Sequence, residues 1–366
     1  MSETKSIKLL HAADFHLDSP FDSLSAAEAA ARRVEQRYMV HRIAEIAREE
    51  QVDAVLLAGD LLDSDSTYFE TAETLVHELG EIAAPVFISP GNHDYYTPRS
   101  PYVKTEFPAN VHIFKSPQLV PVSIPEKGVR IWGSAFNSPE SPPMLASFNA
   151  PNDGDFLEIM LLHGEVARGD TRYNAITEDD IRRSGMNYIA LGHIHAFSGL
   201  LRAGGTFYAW PGCPEGRGFD ETGEKGIIVV DVSPEKCDLR FIPLGGRRYE
   251  ILNVKVGDNA LESLISALPD DTVNDIYRII LSGETEGVNI SELESALTPK
   301  FYHFELRDRT TIRRDIWEKS GNEGLRGLFL TKLLEKYNFA KSDEECELCS
   351  EAAKWGLRAF DNADGA

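Results

Sequence analysis

The chain has 366 residues, 42% apolar and 26% charged, with a formal net charge of −22. That length accommodates one large domain and a smaller one, and the composition is ordinary for a globular protein. No apolar run approaches the roughly 20 residues of a membrane-spanning helix, and the opening MSETKSIKLLHAADFH lacks a signal-peptide core, so a cytoplasmic protein without membrane association is expected. The acidity argues against unaided binding to nucleic acid, which depends on Lys and Arg neutralising phosphates. Four cysteines are too few for a disulfide framework, and the lone C-x-x-C of Cys346 and Cys349 lacks the further ligands of a zinc site.

Short apolar runs predict buried strands at 7–14, 52–60, 85–94, 129–135, 157–164 and 186–193. Between the first three, helical spacing appears over 26–49 (Ala30, Val34, Tyr38, Ile43) and 67–80 (Phe69, Ala72, Leu75, Val76, Leu79). Strands alternating with helices predict an α/β layered core. Gly- and Pro-rich turns fill 203–226, followed by strands at 226–232 and 236–244. The pattern then restarts: strand 251–256, helix 260–268, strand 275–283, helix 290–297, strand 302–308. Residues 321–360 read as two amphipathic helices, with Leu325, Leu328, Phe329, Leu333 and Leu334 on one face of the first.

The polar residues are informative because of where they fall. Asp14 and His16 end the first strand, Gly59-Asp60 the second, and Gly91-Asn92-His93-Asp94 the third; His163-Gly164 and Gly192-His193-Ile194-His195 end two later ones. In layered α/β sheets ligands gather at the carboxyl ends of strands, so five strands deliver Asp, His and Asn to one rim. Each motif alone has a bland reading as a turn or a surface histidine. Their joint occurrence in order, with glycines that let the backbone turn, points to a site. Imidazole, carboxylate and amide ligands without thiolate suit manganese, iron or zinc, and their number suits two ions rather than one.

D-x-H, G-D, G-N-H-D, H-G and G-H-x-H in this order resemble the calcineurin-like metallophosphoesterase superfamily. The resemblance implies a two-sheet α/β sandwich flanked by helices. Asp14, His16, Asp60 and His195 would hold one divalent ion, manganese first among the candidates, and Asp60, Asn92, His163 and His193 a second, with Asp60 bridging. His93 would be the catalytic group that contacts the scissile phosphate, and Asp94 would orient it. Within the superfamily, HAADFHLDSPF (11–21) and WPGCPEGRGFDETGEKG (210–226) are similar to the DNA repair exonuclease branch of SbcD and Mre11, and within it to the bacterial YhaO-like subgroup, with Cys213 where Ser is usual.

That branch implies a catalytic domain over 1–250, a small βαβαβ capping domain over 251–318, and a helical tail over 319–366 that docks on an SbcC- or Rad50-like ATPase. The implied function is a metal-dependent DNA exonuclease-type subunit acting in DNA repair through a two-metal-activated hydroxide, with homodimers among the implied assemblies. The alternative is a small-molecule or cyclic-nucleotide phosphodiesterase of the same fold, which the acidity favours. Arg217, Arg247, Arg248, Arg307, Arg309, Arg313 and Arg314 either line a phosphate-tracking groove or balance acidic neighbours, and Tyr95 and Tyr96 either stack on a base or pack.

Overall fold

In the computed structural model of the chain, residues 5–364 are described apart from positions 65, 152, 153, 155, 168, 170, 258, 286, 287, 314–316, 319, 320, 322 and 323, so Arg314 lies outside the described residues. The chain divides into two compact units, Met1–Gly246 and Arg247–Ala366. In the first, the two long helices and the strands of the two large sheets are, in chain order, β1 (Ile7–Ala12), α1 (Ala26–Glu49), β2 (Ala54–Leu57), α2 (Phe69–Gly80), β3 (Val86–Ile88), β4 (Val111–Ile113), β5 (Val120–Ile124), β6 (Val129–Gly133), β7 (Leu157–His163), β8 (Tyr188–Gly192), β9 (Leu201–Ala203), β10 (Thr206–Ala209), β11 (Gly226–Val232) and β12 (Cys237–Pro243). Two six-stranded sheets result, ordered β12-β11-β1-β2-β3-β4 and β9-β10-β8-β7-β6-β5. Strands β1 to β4 run parallel, as do β6, β7, β8 and β10.

The sheets stack face to face. Leu9, Leu56, Phe87 and Ile228 of one meet Ile131, Ile159, Leu161 and Tyr188 of the other in a shared core. Alternate residues point outward: Leu10, Val55, Leu57 and Ile88 pack under α1 and α2, and Met160, Leu162, Ile189 and Leu191 pack under Ile181 and Leu145. Burial on both faces is why these strands read as unbroken apolar runs rather than alternating ones. The stretch 203–226, read as turns, contains the four-residue strand β10 between Gly205 and Pro211. Among the described residues, no helix is long and apolar enough to cross a membrane.

Two helix faces differ from the sequence expectation. Helix α1 begins at Ser25, which caps Glu28 N–H while the Glu28 side chain returns to Ser25 N–H. Its buried face is Met39, Val40, Ile43, Ala44 and Ala47, joined by Arg32 and Gln36, whereas Val34 and Tyr38 are each 56% exposed. Two polar residues occupy the inward face near the helix start, and this shifts the apolar periodicity. The second unit repeats strand and helix as expected: β13 (Tyr249–Lys255), α3 (Ala260–Ala267), β14 (Ile276–Ser282), α4 (Ile290–Leu297) and β15 (His303–Asp308), with three parallel strands in that order. In its last two helices, α5 (Leu325–Asn338) and α6 (Asp343–Asp364), Leu330, Phe329 and Leu333 pack on Ala353 and Leu357, while Leu325 and Leu328 face outward. Cys346 and Cys349 are half-buried free thiols on α6.

At the rim carrying the polar motifs the two sheets of the first unit come into close contact. A Cβ on Gly192 would lie 1.8 Å from the Ala58 carbonyl oxygen, so only glycine lets the end of β8 reach the end of β2. Gly192→Ala is expected to cost about 2–3 kcal/mol through forced backbone movement, read as a lower urea midpoint by circular dichroism; an unchanged midpoint would contradict the close approach.

Candidate metal centre

Past β1 the chain does not leave β2 but continues to bond to it. Asp14 N–H donates to the Gly59 carbonyl at 3.0 Å, His16 N–H to that of Asp60 at 2.9 Å and Leu17 N–H to that of Leu61 at 2.9 Å. On these two loops Asp14 (φ +57°), His16 (+45°) and Asp60 (+51°) adopt left-handed backbone conformations, as does His193 (+97°) just past β8. For non-glycine residues this costs on the order of 1–3 kcal/mol each and persists only where surroundings enforce it. Past β10, Trp210 braces two strand ends of its own sheet, its indole N–H reaching the carbonyls of Gly164 (3.1 Å) and Gly192 (3.2 Å) beside His163 and His193.

The seven ligand candidates from the five strand ends converge. His16 Nε2 lies 3.3 Å from His195 Nε2 and 3.7 Å from Asp60 Oδ2. His163 Nε2 lies 3.0 Å from Asn92 Oδ1 and 3.4 Å from Asp60 Oδ2, and His193 Nδ1 lies 3.2 Å from the same Asn92 oxygen. Asp14 Oδ1 is 3.9 Å from His195 Nε2 and 4.0 Å from His163 Nδ1. Three overlapping triads thus have ligand atoms close enough for an ion: Asp14/His16/His195, Asp14/Asp60/His163 and His16/Asp60/His93. Asp60 belongs to two of them, and His93 stands against the cluster with its ring centroid 4.7 Å from that of His16.

The donor set fits cations. Burial drives the Asp14 carboxyl up to about 7. Burial also lowers His16 and His193 to about 4, leaving neutral rings with a free lone pair. Burial works against a charge on His163 too, but Asp60 and Asp14 outweigh it and carry that ring up to about 9. His163 Nδ1 faces the Ala58 carbonyl at 2.8 Å and Nε2 faces two oxygens, so one side needs a second proton or a cation. His16 and His195 pose the same requirement, since their Nε2 atoms face each other while each Nδ1 faces a carboxylate: Asp63 Oδ1 at 3.0 Å and Glu221 Oε1 at 2.6 Å.

Asp94 does not take the expected position against the His93 ring. Its oxygens accept from the backbone N–H of Gly91 (2.7 Å), Asp60 (3.2 Å), Leu61 (2.7 Å) and Leu62 (3.3 Å) and from the Tyr102 hydroxyl (2.5 Å). It is wholly buried beneath the loop, where the peptide N–H groups converge. His93 is oriented instead by the Asp63 carbonyl, 3.2 Å from Nδ1, and its own N–H donates to Asp60 Oδ1 at 2.9 Å. Asp63 and Glu221 carry no motif that singles them out in the sequence. The one signal available is chemical: a ligating imidazole needs an acceptor for its other N–H, and Asp63 follows a motif residue closely. Three of the candidate basic residues are paired with acids: Arg217 with Glu221 and Asp63, Arg248 with Asp275, Arg307 with Glu305. Tyr96 packs against both cores, and the ring of Tyr173 lies over that of His193 with centroids 5.0 Å apart.

The family model for calcineurin-like phosphoesterases matches residues 7–197, the stretch that carries all seven ligand candidates. The chain belongs to that family. It is 34% identical over 269 residues to the uncharacterised metallophosphoesterase YhaO of Bacillus subtilis strain 168, covering 70% of this chain and 64% of the relative. It is 26% identical over 269 residues to the DNA double-strand break repair protein Mre11 of Aeropyrum pernix, covering 69% and 64%. With the SbcD component of the SbcCD nuclease of Bacillus subtilis it shares 23% identity over 274 residues, 62% of this chain and 67% of the relative. The chain thus spans under two thirds of the length of the first two relatives.

Asp94→Asn would turn an amide N–H toward the backbone donors that Asp94 now accepts. The expected cost is about 1–3 kcal/mol, seen as a lower thermal midpoint both with metal and after chelation. A midpoint unchanged in both states would show that Asp94 does not hold the loop.

Proposed function

We propose that the chain is a metal-dependent DNA nuclease subunit of exonuclease type, hydrolysing phosphodiester bonds at a centre for two divalent ions, manganese first among them. The reading rests on one observation above others: Asp14, His16, Asp60, Asn92, His163, His193 and His195 from two sheets meet within ligand distance, with Asp60 in the middle. In this reading Asp14, His16, Asp60 and His195 take one ion and Asp60, Asn92, His163 and His193 the other. Two such ions supply Lewis acidity to a phosphate and lower the pKa of water.

The chain's own groups then do the following. Asp60 is held by His93 N–H, which fixes the bridging carboxylate. His93 Nδ1–H donates a hydrogen bond to the Asp63 carbonyl, so Nε2 is the atom that meets the phosphate and, in the doubly protonated ring, hands its proton to the leaving oxygen while Nδ1 keeps its own. Relatives named as a double-strand break repair protein and a nuclease component support DNA as the substrate class. By the same reasoning the partner is an SbcC- or Rad50-like ATPase, docked on α5 and α6, where Leu325, Leu328, Leu348 and Trp355 are exposed; the setting is cytoplasmic DNA repair.

A second reading has its own observation. Arg217, Arg248 and Arg307 are each paired with acids, and the net charge is −22, which suits a small phosphodiester better than a long polyanion. Cleavage of linear DNA by the manganese-loaded protein is expected. Turnover of bis(p-nitrophenyl) phosphate or a cyclic nucleotide, with none on DNA from low to physiological salt, would decide for the second reading. His93→Ala is expected to keep its metal by elemental analysis and to lose about 100- to 10,000-fold in turnover; wild-type cleavage in that variant would remove His93 from the chemistry.

A further inference from the structure

The two halves of the centre are backed differently. Behind His16 and His195 stand the carboxylates of Asp63 and Glu221, each accepting the Nδ1 proton. Between those acids lies Arg217. Its Nη1 donates to Asp63 at 3.2 Å and its Nη2 to Glu221 Oε1 at 2.7 Å, while its backbone N–H reaches Glu221 Oε2 at 2.8 Å. Its Nη1 also lies 3.4 Å from Ser19 Oγ. One planar cation therefore ties together two acids distant in sequence, and through them two histidines that start on different sheets. A lysine ammonium presents no such fork.

The other half has neutral backing. His163 gives its Nδ1 proton to a peptide carbonyl, that of Ala58. The His193 ring is hydrogen-bonded, among the described residues, to the amide oxygen of Asn92, itself a neutral ligand candidate. Asp14 Oδ1 stands almost equally near both halves, 3.9 Å from His195 Nε2 and 4.0 Å from His163 Nδ1, and Asp60 faces both, so the difference lies in the backing and in Asn92, an amide where the other half has only acids and imidazoles. A carboxylate behind an imidazole raises its basicity toward a metal and fixes its tautomer, and removing such a group typically weakens metal binding about 10- to 100-fold.

We propose that Arg217 is a positioning residue that, through Asp63 and Glu221, makes the His16/His195 half the tight half of the centre, filled first, while the His163/His193 half fills second and exchanges its ion. This rests on the two-ion reading above. It also accounts for a half-buried arginine beside a site meant for cations: its charge is balanced by the two acids, whose same oxygens, Asp63 Oδ1 and Glu221 Oε1, also accept from His16 and His195. The Arg217 bridge thus trades bare charge for geometry, keeping both Nε2 lone pairs aimed at one point, 3.3 Å apart.

The test is stepwise loading of the full chain after chelation. Manganese is titrated in, with affinity read by calorimetry and the bound ion by electron paramagnetic resonance. The wild type is expected to bind in two steps at least about 10-fold apart. Arg217→Met, Arg217→Lys and Glu221→Gln are each expected to weaken the first step about 10- to 100-fold and to leave the second within about 3-fold. His193→Ala should abolish the second step and keep the first. The lysine and glutamine variants keep the measurement available if the methionine variant does not fold. Two steps of equal affinity, loss confined to the second step in the Arg217 and Glu221 variants, or loss of the tight step in His193→Ala overturns the proposal while the two-ion centre stands. Uptake of no more than one ion per chain overturns the two-ion reading and this proposal with it.

Discussion

Asp14 and Asp60 are carboxylates buried at the point where two sheets meet. An ionised carboxylate taken out of water is costly unless paired and hydrogen-bonded, and here two stand together. The structure offsets this with peptide donors and imidazoles. His193 N–H reaches both Asp14 oxygens at 3.0 Å and His93 N–H reaches Asp60. Those donors exist only because the strand ends turn sharply and approach closely, which explains Gly59 at φ +86° and the absence of a Cβ at Gly192. The left-handed backbone at four ligand candidates belongs to the same constraint: the loops are bent to bring charge together, and the surrounding sandwich holds them bent.

The stability for this comes from three apolar layers, and the polar support reaches into one of them. Gln36 of α1 donates to the His16 carbonyl at 3.1 Å, and the wholly buried Arg32 pairs with Glu215 and with the Gly216 carbonyl on the loop that carries Arg217. The first turns of α1 therefore brace the site rather than the core, while its later turns, from Met39 to Ala47, pack under the first sheet. One helix serves the fold at one end and the centre at the other.

Much of this is legible in the sequence. Fully buried strands advertise themselves as apolar runs, and the motif residues sit at their ends, so the α/β sandwich, the seven ligand candidates and the βαβαβ pattern after residue 250 can all be read in order. Helix faces are less legible. On α1 the buried positions include Arg32 and Gln36, which no hydrophobic periodicity would select, and on α5 Leu325 and Leu328 face outward. The position of Asp94 escapes the sequence for a related reason: adjacency to His93 suggests contact, but the loop turns the carboxylate beneath itself toward peptide N–H groups.

What the sequence determined by itself was the kind of chemistry and the kind of fold, because ligand residue types and strand patterning are local properties. What only the tertiary structure decided was pairing across distance. It set which acid stands behind which histidine, that Arg217 joins Asp63 to Glu221, that β11 and β12 return to pair beside β1, and that Asp94 holds a loop rather than a ring. A side chain's partner depends on where the backbone carries it, and residues 16, 63, 195, 217 and 221 become neighbours only when two sheets close on a glycine.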